Sequence, residues 1–315
     1  MSSLRAILSI FVLAVATSAG AAAPMAKSAP PGFFRIMVGD FEVTAISDGT
    51  VDLPMDQLLM NTTKEQVEKA AAKAFLKLPV ETSVNGFLVN TGSKLVLVDT
   101  GAGSLFGPTL GRLVANIKAA GYQPEQVDEI YITHMHPDHV GGLVTDGKLN
   151  FPNAIVRADK RDADFWLSAE NLEKADKGSK GFFQGAQSML GPYVKAGKFS
   201  AFTGDTELVP GVKAHASYGH TAGHTTYVVE SKGQKLVLWG DLMHFAAMQF
   251  PDPSVAIKFD TDTKAAVAER KKAYADAAKN GYWVAAAHLP FPGIGHLAAA
   301  GKGYAFIPAN YTVIR

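Results

Sequence analysis

Thr133-His134-Met135-His136-Pro137-Asp138-His139 is the stretch that decides how this chain is read. The apolar run Glu129-Ile130-Tyr131-Ile132 leads into it and predicts a buried strand. The strand ends where the donors begin. Three imidazoles and one carboxylate therefore fall on a loop at a strand's C-terminal edge, where α/β proteins usually keep their chemistry. A donor set of nitrogen and oxygen without sulfur suits one or two borderline divalent metals such as Zn²⁺. A loop that merely happened to be rich in His would not require the H-x-H-x-D-H spacing.

Composition limits the other ligands. The 315-residue sequence contains no Cys, so there is no disulfide, thiolate ligand or Cys nucleophile, and every protein ligand must be His, Asp or Glu. Hydrophobic residues make up 47% and charged residues 19%, as expected of a globular chain with a sizeable core. A net charge of +1 gives no electrostatic case for a nucleic-acid or anionic-membrane partner.

At the N-terminus, Arg5 precedes the apolar run AILSIFVLAV (6–15) and small residues around Ala19-Gly20-Ala21. Residues 1–23 read as a cleavable signal peptide, too short in its apolar part for the ~20 residues of a membrane span. Residues 24–32, rich in Ala and Pro, read as a flexible leader, and 33–315 as one domain of an exported, periplasmic protein. Strands are expected at 33–38, 41–46, 83–89, 95–98, 130–132, 154–157, 212–217, 225–229 and 236–239, with 283–286 as the last core strand. Ser47-Asp48-Gly49 reads as the close of the first pair. Helices are expected from residue 63, with Thr62-x-x-Glu65 as a capping box, and at 110–119, 163–172, 185–190 and 263–279, the last capped by Asp262.

Further donors recur at expected strand ends. Gly219-His220-Thr221-Ala222-Gly223-His224 precedes the strand at 225, Asp241 follows Trp239-Gly240, and His288 follows Ala286-Ala287. Each alone could be an ordinary loop residue; together behind the first motif they suggest convergence on one site.

The set His134, His136, Asp138, His139, His220, Asp241 and His288 resembles the dinuclear metallo-β-lactamase superfamily, as does Leu97-Val98-Asp99-Thr100-Gly101 upstream. Gly39-Asp40-Phe41-Glu42, Glu81-Thr82-Ser83, the stretch from Phe106 to Gly111 and the stretch from His288 to Gly293 are similar to the methyl parathion hydrolase group and its lactone- and aryl-ester-hydrolysing relatives. The resemblance implies an α/β fold, an αββα sandwich of two packed mixed sheets with helices on the outer faces. It implies one metal on His134, His136 and His220 and a second on Asp138, His139 and His288, with Asp241 bridging. Asp99 would orient a ligand imidazole, and His224 would hydrogen-bond behind the ligands. Zinc is the simplest metal, though Mn, Co or Fe would be accepted by the same donors. A homodimer is also implied.

The implied mechanism is attack by a metal-bridging hydroxide on an ester, lactone or phosphoryl centre, with Asp241 and Asp138 in catalytic positions. Phe106, Trp166 and Phe182 would line the substrate pocket or else pack in the core. His244 would fall near the metals, as a pocket and catalytic residue or as plain wall, with Phe245, Ile257 and Phe259 adding bulk. Bulk plus an imidazole suits a flat carbonyl substrate, an aromatic lactone or aryl ester of the dihydrocoumarin type, with organophosphate triester hydrolysis secondary. The rivals are a dedicated phosphotriesterase, an acyl-homoserine lactonase, a glyoxalase-II-like thioesterase, a β-lactamase and, from another class, a non-catalytic periplasmic metal-binding protein. His215 reads as structural or exposed, and His296 as a loop hydrogen-bonding residue.

Overall fold

Val96 and Val98 face one way along their strand and Leu95 and Leu97 the other, yet all four are buried, so this strand must be covered on both faces. The computed structural model describes residues 23–313 and shows how. The expected signal peptide lies outside the described residues except for Ala23. Residues 23–30 are exposed and form no regular element.

The first sheet runs β1 (Phe33–Val38), β2 (Phe41–Leu53), β3 (Val80–Asn90), β4 (Leu95–Val98), β5 (Glu129–Tyr131), β6 (Ile155–Asp159) and β7 (Phe199–Phe202), side by side in chain order. Its first three pairings are antiparallel and the rest parallel. The second sheet also follows chain order: β8 (Thr206–Val209), β9 (Val212–Ala216), β10 (Thr225–Ser231), β11 (Gln234–Leu238), β12 (Trp283–Ala285), β13 (Ile294–Ala300) and β14 (Gly303–Pro308). Only β11 and β12 pair in parallel there.

Alternation assigns three apolar layers. Val96, Val98, Phe87 and Tyr131 from the first sheet meet Tyr227, Val229, Leu236 and Leu238 from the second. Leu95, Leu97 and Ile130 turn outward beneath α2 (Leu113–Ala119) and α5 (Lys180–Lys195) through Leu113, Ile117, Ala186 and Leu190. Val237, Trp239 and Val284 turn outward on the opposite side beneath α6 (Thr263–Asn280) through Tyr274 and Ala277. The result is the αββα sandwich, with helices on both outer faces.

Four local expectations are corrected. Ser47-Asp48-Gly49 does not end its strand: β2 continues to Leu53 through a bulge, because the buried Asp48 carboxylate accepts from the backbone N–H groups of Ala102, Gly111 and Leu113. The capping box of α1 (Lys64–Lys73) sits one residue later than expected, on Thr63 and Gln66. The segment 163–172 is two helices, α3 (Lys160–Trp166) and α4 (Ala169–Lys174), the second capped by Ser168. Residues 283–286 are not the last strand, since the β13–β14 hairpin follows.

Parallel pairing determines where the chemistry falls. β4, β5 and β6 end at one edge and deliver Asp99, the His134 loop and Asp162, while β11 and β12 deliver Asp241 and His288. The sheets are joined near this edge: Thr225 N–H donates to the Thr133 carbonyl at 2.8 Å and Tyr227 hydroxyl to the Ile132 carbonyl at 2.7 Å.

Candidate metal centre

The metal-ligating side chains expected from sequence converge at this edge, and all but the half-buried Asp138 are buried. Among the described residues, His134, His136, His220 and Asp241 form one group with mutually close ligand atoms, and Asp138, His139 and His288 a second. Asp241 also joins His244 and His288 in a third. Its Oδ2 lies 3.3 Å from His220 Nε2, 3.2 Å from His288 Nε2 and 3.6 Å from His134 Nε2, while Oδ1 lies 3.2 Å from His139 Nε2. His288 Nε2 is 3.4 Å from Asp138 Oδ2.

Partners behind the rings fix their tautomers. His139 Nδ1 is 2.8 Å from Asp99 Oδ2, His220 Nδ1 is 2.9 Å from Asp260 Oδ1, and His288 Nδ1 is 2.9 Å from the Ser83 carbonyl. These oxygens only accept, so each Nδ1 carries the proton and each Nε2 turns a lone pair inward. His134 follows the same rule at one remove. Thr133 hydroxyl donates to Asp99 Oδ2 at 2.8 Å, which leaves its oxygen to accept from His134 Nδ1 at 3.1 Å. His136 instead presents Nδ1, 3.2 Å from His220 Nε2.

Converging lone pairs on buried rings repel one another unless a cation or shared protons sit between them. His134 Nε2, His139 Nε2 and Asp241 Oδ1 are buried and have no hydrogen-bond partner, a costly arrangement for polar atoms. Burial opposes charge on every ring, yet Asp241, Asp138 and Asp99 hold His139 well above its ordinary pKa. Against the same burial, hydrogen bonds to Asp241 and Asp260 lift His220 to about 9. Burial and neighbouring imidazoles push His134 and His136 well down. The cluster attracts positive charge but cannot protonate all its rings, and its donors fit two divalent cations.

His224 serves the backbone. Its Nδ1 donates to the Ser217 carbonyl at 3.0 Å and its Nε2 accepts the Asp241 N–H at 3.0 Å, with burial lowering its pKa to about 3. Two glycines let these loops approach. A Cβ on Gly240, at φ +53°, would sit 2.9 Å from His224 Nε2, and one on Gly219, at φ +140°, only 2.2 Å from the backbone N of Ala266.

A cleft of about 240 Å³ opens over Asp138, Asp241 and His288, walled by Phe106, Phe182, His244 and Phe259. His244 Nε2 lies 3.1 Å from Asp241 Oδ2 and its ring stacks on His288, while burial lowers its pKa to about 4. Trp166 stands beside His136, ring centres 5.2 Å apart, and lines an adjoining groove of about 490 Å³ that shares Phe182 and Phe259 with the cleft. Phe245 and Ile257 depart from expectation. They do not line the cleft but pack in a core with Met55, Val67 and Val255, against which the cleft residue Phe259 also rests. His215 pairs with Asp205 on the surface, and His296 packs on Trp283 and reaches the Tyr282 carbonyl.

Sequence reasoning missed several residues. Val51 and Leu53 line the cleft from the unexpected extension of β2. Asp162 accepts from Met135 N–H at 2.9 Å and Gly223 N–H at 2.7 Å, tying the His134 loop to the His220 loop. Gln249 accepts the His244 and Phe245 N–H groups at 2.7 and 2.9 Å. Asp260 carries no local motif; only its place after a short apolar run could have signalled it.

Two mixed sheets between helices, with a buried His/Asp cluster at their shared edge, define a metal-binding αββα protein. The description "Metallo-beta-lactamase superfamily" matches residues 79–294, and the chain belongs to that superfamily. An N-acyl homoserine lactonase of Bacillus cereus is 27% identical over 161 residues, 51% of this chain and 56% of that protein. One from Bacillus sp is 30% identical over 127 residues, 40% and 42% of the two. The chain thus spans about half the length of the curated relatives it matches. Among solved structures, the hydrolase AbOPH of the beta lactamase superfamily is 40% identical with a TM-score of 0.86, covering 91% of this chain and 100% of that one. AidC, a dizinc quorum-quenching lactonase in complex with a product, is 27% identical with a TM-score of 0.82, covering 90% and 99%.

Proposed function

We propose that the chain is a dinuclear, zinc-loaded hydrolase of small aromatic lactones or aryl esters of the dihydrocoumarin type, kin to the lactone- and aryl-ester-hydrolysing relatives of the methyl parathion hydrolase group. The observation that carries this reading is the cleft. At about 240 Å³ it falls below the ~300–1,000 Å³ usual for ligand sites, and aromatic rings stand on its walls. A planar bicyclic substrate can lie between Phe106, Phe182 and Phe259, whereas a tetrahedral phosphotriester must place three substituents around one atom.

His134, His136 and His220 would hold one cation and Asp138, His139 and His288 the other, with Asp241 between them. Such cations supply Lewis acidity toward a carbonyl oxygen and lower the pKa of water toward neutrality. Asp99, Asp260 and the Ser83 carbonyl keep His139, His220 and His288 in ligating tautomers. Val51 and Leu53 close the wall against water, and His244 places an imidazole beside Asp241 at the floor, where a substrate oxygen would arrive.

A second reading, an N-acyl homoserine lactonase, is favoured by the lactonase relatives and by the groove of about 490 Å³ beside Phe182 and Phe259, where an acyl chain would lie. The test is kcat/KM for dihydrocoumarin, methyl parathion and N-hexanoyl homoserine lactone on one zinc-loaded preparation. Dihydrocoumarin should lead; a lead for either rival would overturn the substrate assignment. We further propose export to the periplasm on residues 1–23, testable by fractionating expressing cells.

A further inference from the structure

Arg270 is fully buried in the middle of α6, far in sequence from every motif of the site. A guanidinium cannot shed its charge, so burial is tolerable only if its donors are met. Backbone carbonyls meet Nε and Nη1, whereas Nη2 has no hydrogen-bond partner and is held by an ion pair alone. Nε donates to the carbonyl of Leu242, the residue after Asp241. Nη1 donates to the Val255 carbonyl at 2.7 Å and the Pro253 carbonyl at 3.4 Å. Nη2 stands 3.7 Å from Asp260 Oδ2, whose other oxygen accepts His220 Nδ1 at 2.9 Å.

Two further links extend this frame. The Val255 carbonyl also accepts the Gln249 side chain at 3.0 Å, and Gln249 holds the His244 and Phe245 N–H groups. At the start of the same helix, Thr261 N–H donates to the His220 carbonyl at 2.9 Å and Asp262 N–H to the Gly219 carbonyl at 2.8 Å.

We propose that Arg270 is a positioning residue for the metal centre: one buried cation that locks the loops bearing Asp241, His244 and, through Asp260, His220 into ligating register. This rests on the two-metal reading above. Arg270 touches neither the cleft nor a ligand atom, so a purely structural role would lower stability without changing the ligand field. A positioning role changes the ion held by His134, His136 and His220 more than the ion held by Asp138, His139 and His288.

The experiment uses the full chain as wild type, Arg270→Met and Arg270→Lys. Zinc affinity is measured by competition with a chromogenic chelator, cobalt(II) visible absorption reports coordination, and thermal melting reports stability. Wild type should bind two equivalents. Arg270→Met should lose on the order of 10–100-fold in affinity at one equivalent, as removal of outer partners does elsewhere, with an altered cobalt spectrum and the other equivalent within about threefold. Arg270→Lys, which keeps the charge, should recover part of the loss, and it supplies the reading if the Met variant does not fold. Two-metal wild type with variants whose affinities and spectra are unchanged, whatever their melting temperatures, would overturn the positioning role alone. A wild type that binds fewer than two metals would overturn the metal-centre reading and this proposal with it.

Discussion

Asp99→Asn tests the tautomer argument at a single atom. The Asp99 carboxylate is buried, with Oδ1 accepting Thr133 N–H at 2.8 Å and Oδ2 accepting both Thr133 hydroxyl and His139 Nδ1 at 2.8 Å. An amide keeps the shape but replaces one acceptor by a donor. If the NH2 takes the Oδ2 position, it faces the His139 Nδ1 proton, which must move to Nε2, and the ring can no longer ligate. If it takes the Oδ1 position, it leaves the Thr133 N–H buried without an acceptor, at about 1–3 kcal/mol. The first arrangement should cost on the order of 10–100-fold in zinc affinity at the ion held by His139. The second should appear as lost stability in urea unfolding of the metal-free protein. Chelator competition and urea titration on the same preparations separate the two. An Asn variant that matches wild type in both measurements would refute the reasoning.

Other outcomes follow from particular contacts. Gly219→Ala places a methyl 2.2 Å from the Ala266 backbone at a strained φ, and should destabilise the fold by about 1–3 kcal/mol and weaken zinc binding through His220; unchanged melting would contradict it. Burial raises the Asp162 carboxyl from 3.8 to about 6, so between those values the native state holds a proton that the unfolded chain has released. The metal-free protein should therefore lose up to ~3 kcal/mol of stability from this group as pH rises through that window, at about 1.4 kcal/mol per unit. Asp162→Asn should remove that slope from urea unfolding measured across pH; an identical slope in both proteins would exclude Asp162 as its source. His244→Leu removes the imidazole at the cleft floor and should shift the kcat/KM ratio from dihydrocoumarin toward methyl parathion severalfold, and an unmoved ratio would remove His244 from substrate choice.

Much of the two sheets and the donor cluster is legible because it is written locally. Leu95-Val96-Leu97-Val98 alternates between two cores, and H-x-H-x-D-H places its donors on one loop. Residues whose role depends on distant partners were not legible. Asp260 meets His220 across 40 positions, and Asp162 meets Met135 across 27. Asp48 looked like a turn residue because nothing nearby shows that its carboxylate will gather three N–H groups from beyond residue 100. The capping box slipped by one because Thr62 and Thr63 both precede an acceptor at the right spacing, Glu65 and Gln66. Adjacency to His244 suggests the cleft for Phe245, but consecutive residues in extended backbone face opposite ways and Phe245 joins the core. The final hairpin is not legible because its first strand, with three Ala and a single Ile, carries little β-branched signal.

The claim on which the rest depends is that these donors hold two catalytic cations. Metal content and dihydrocoumarin turnover should be followed together while the protein is stripped with a chelator and then titrated with zinc. Activity should vanish on stripping and return in full only as the second equivalent per chain is bound. Turnover that survives complete removal of metal, or two bound equivalents with no turnover of any lactone, aryl ester or phosphotriester, would contradict it.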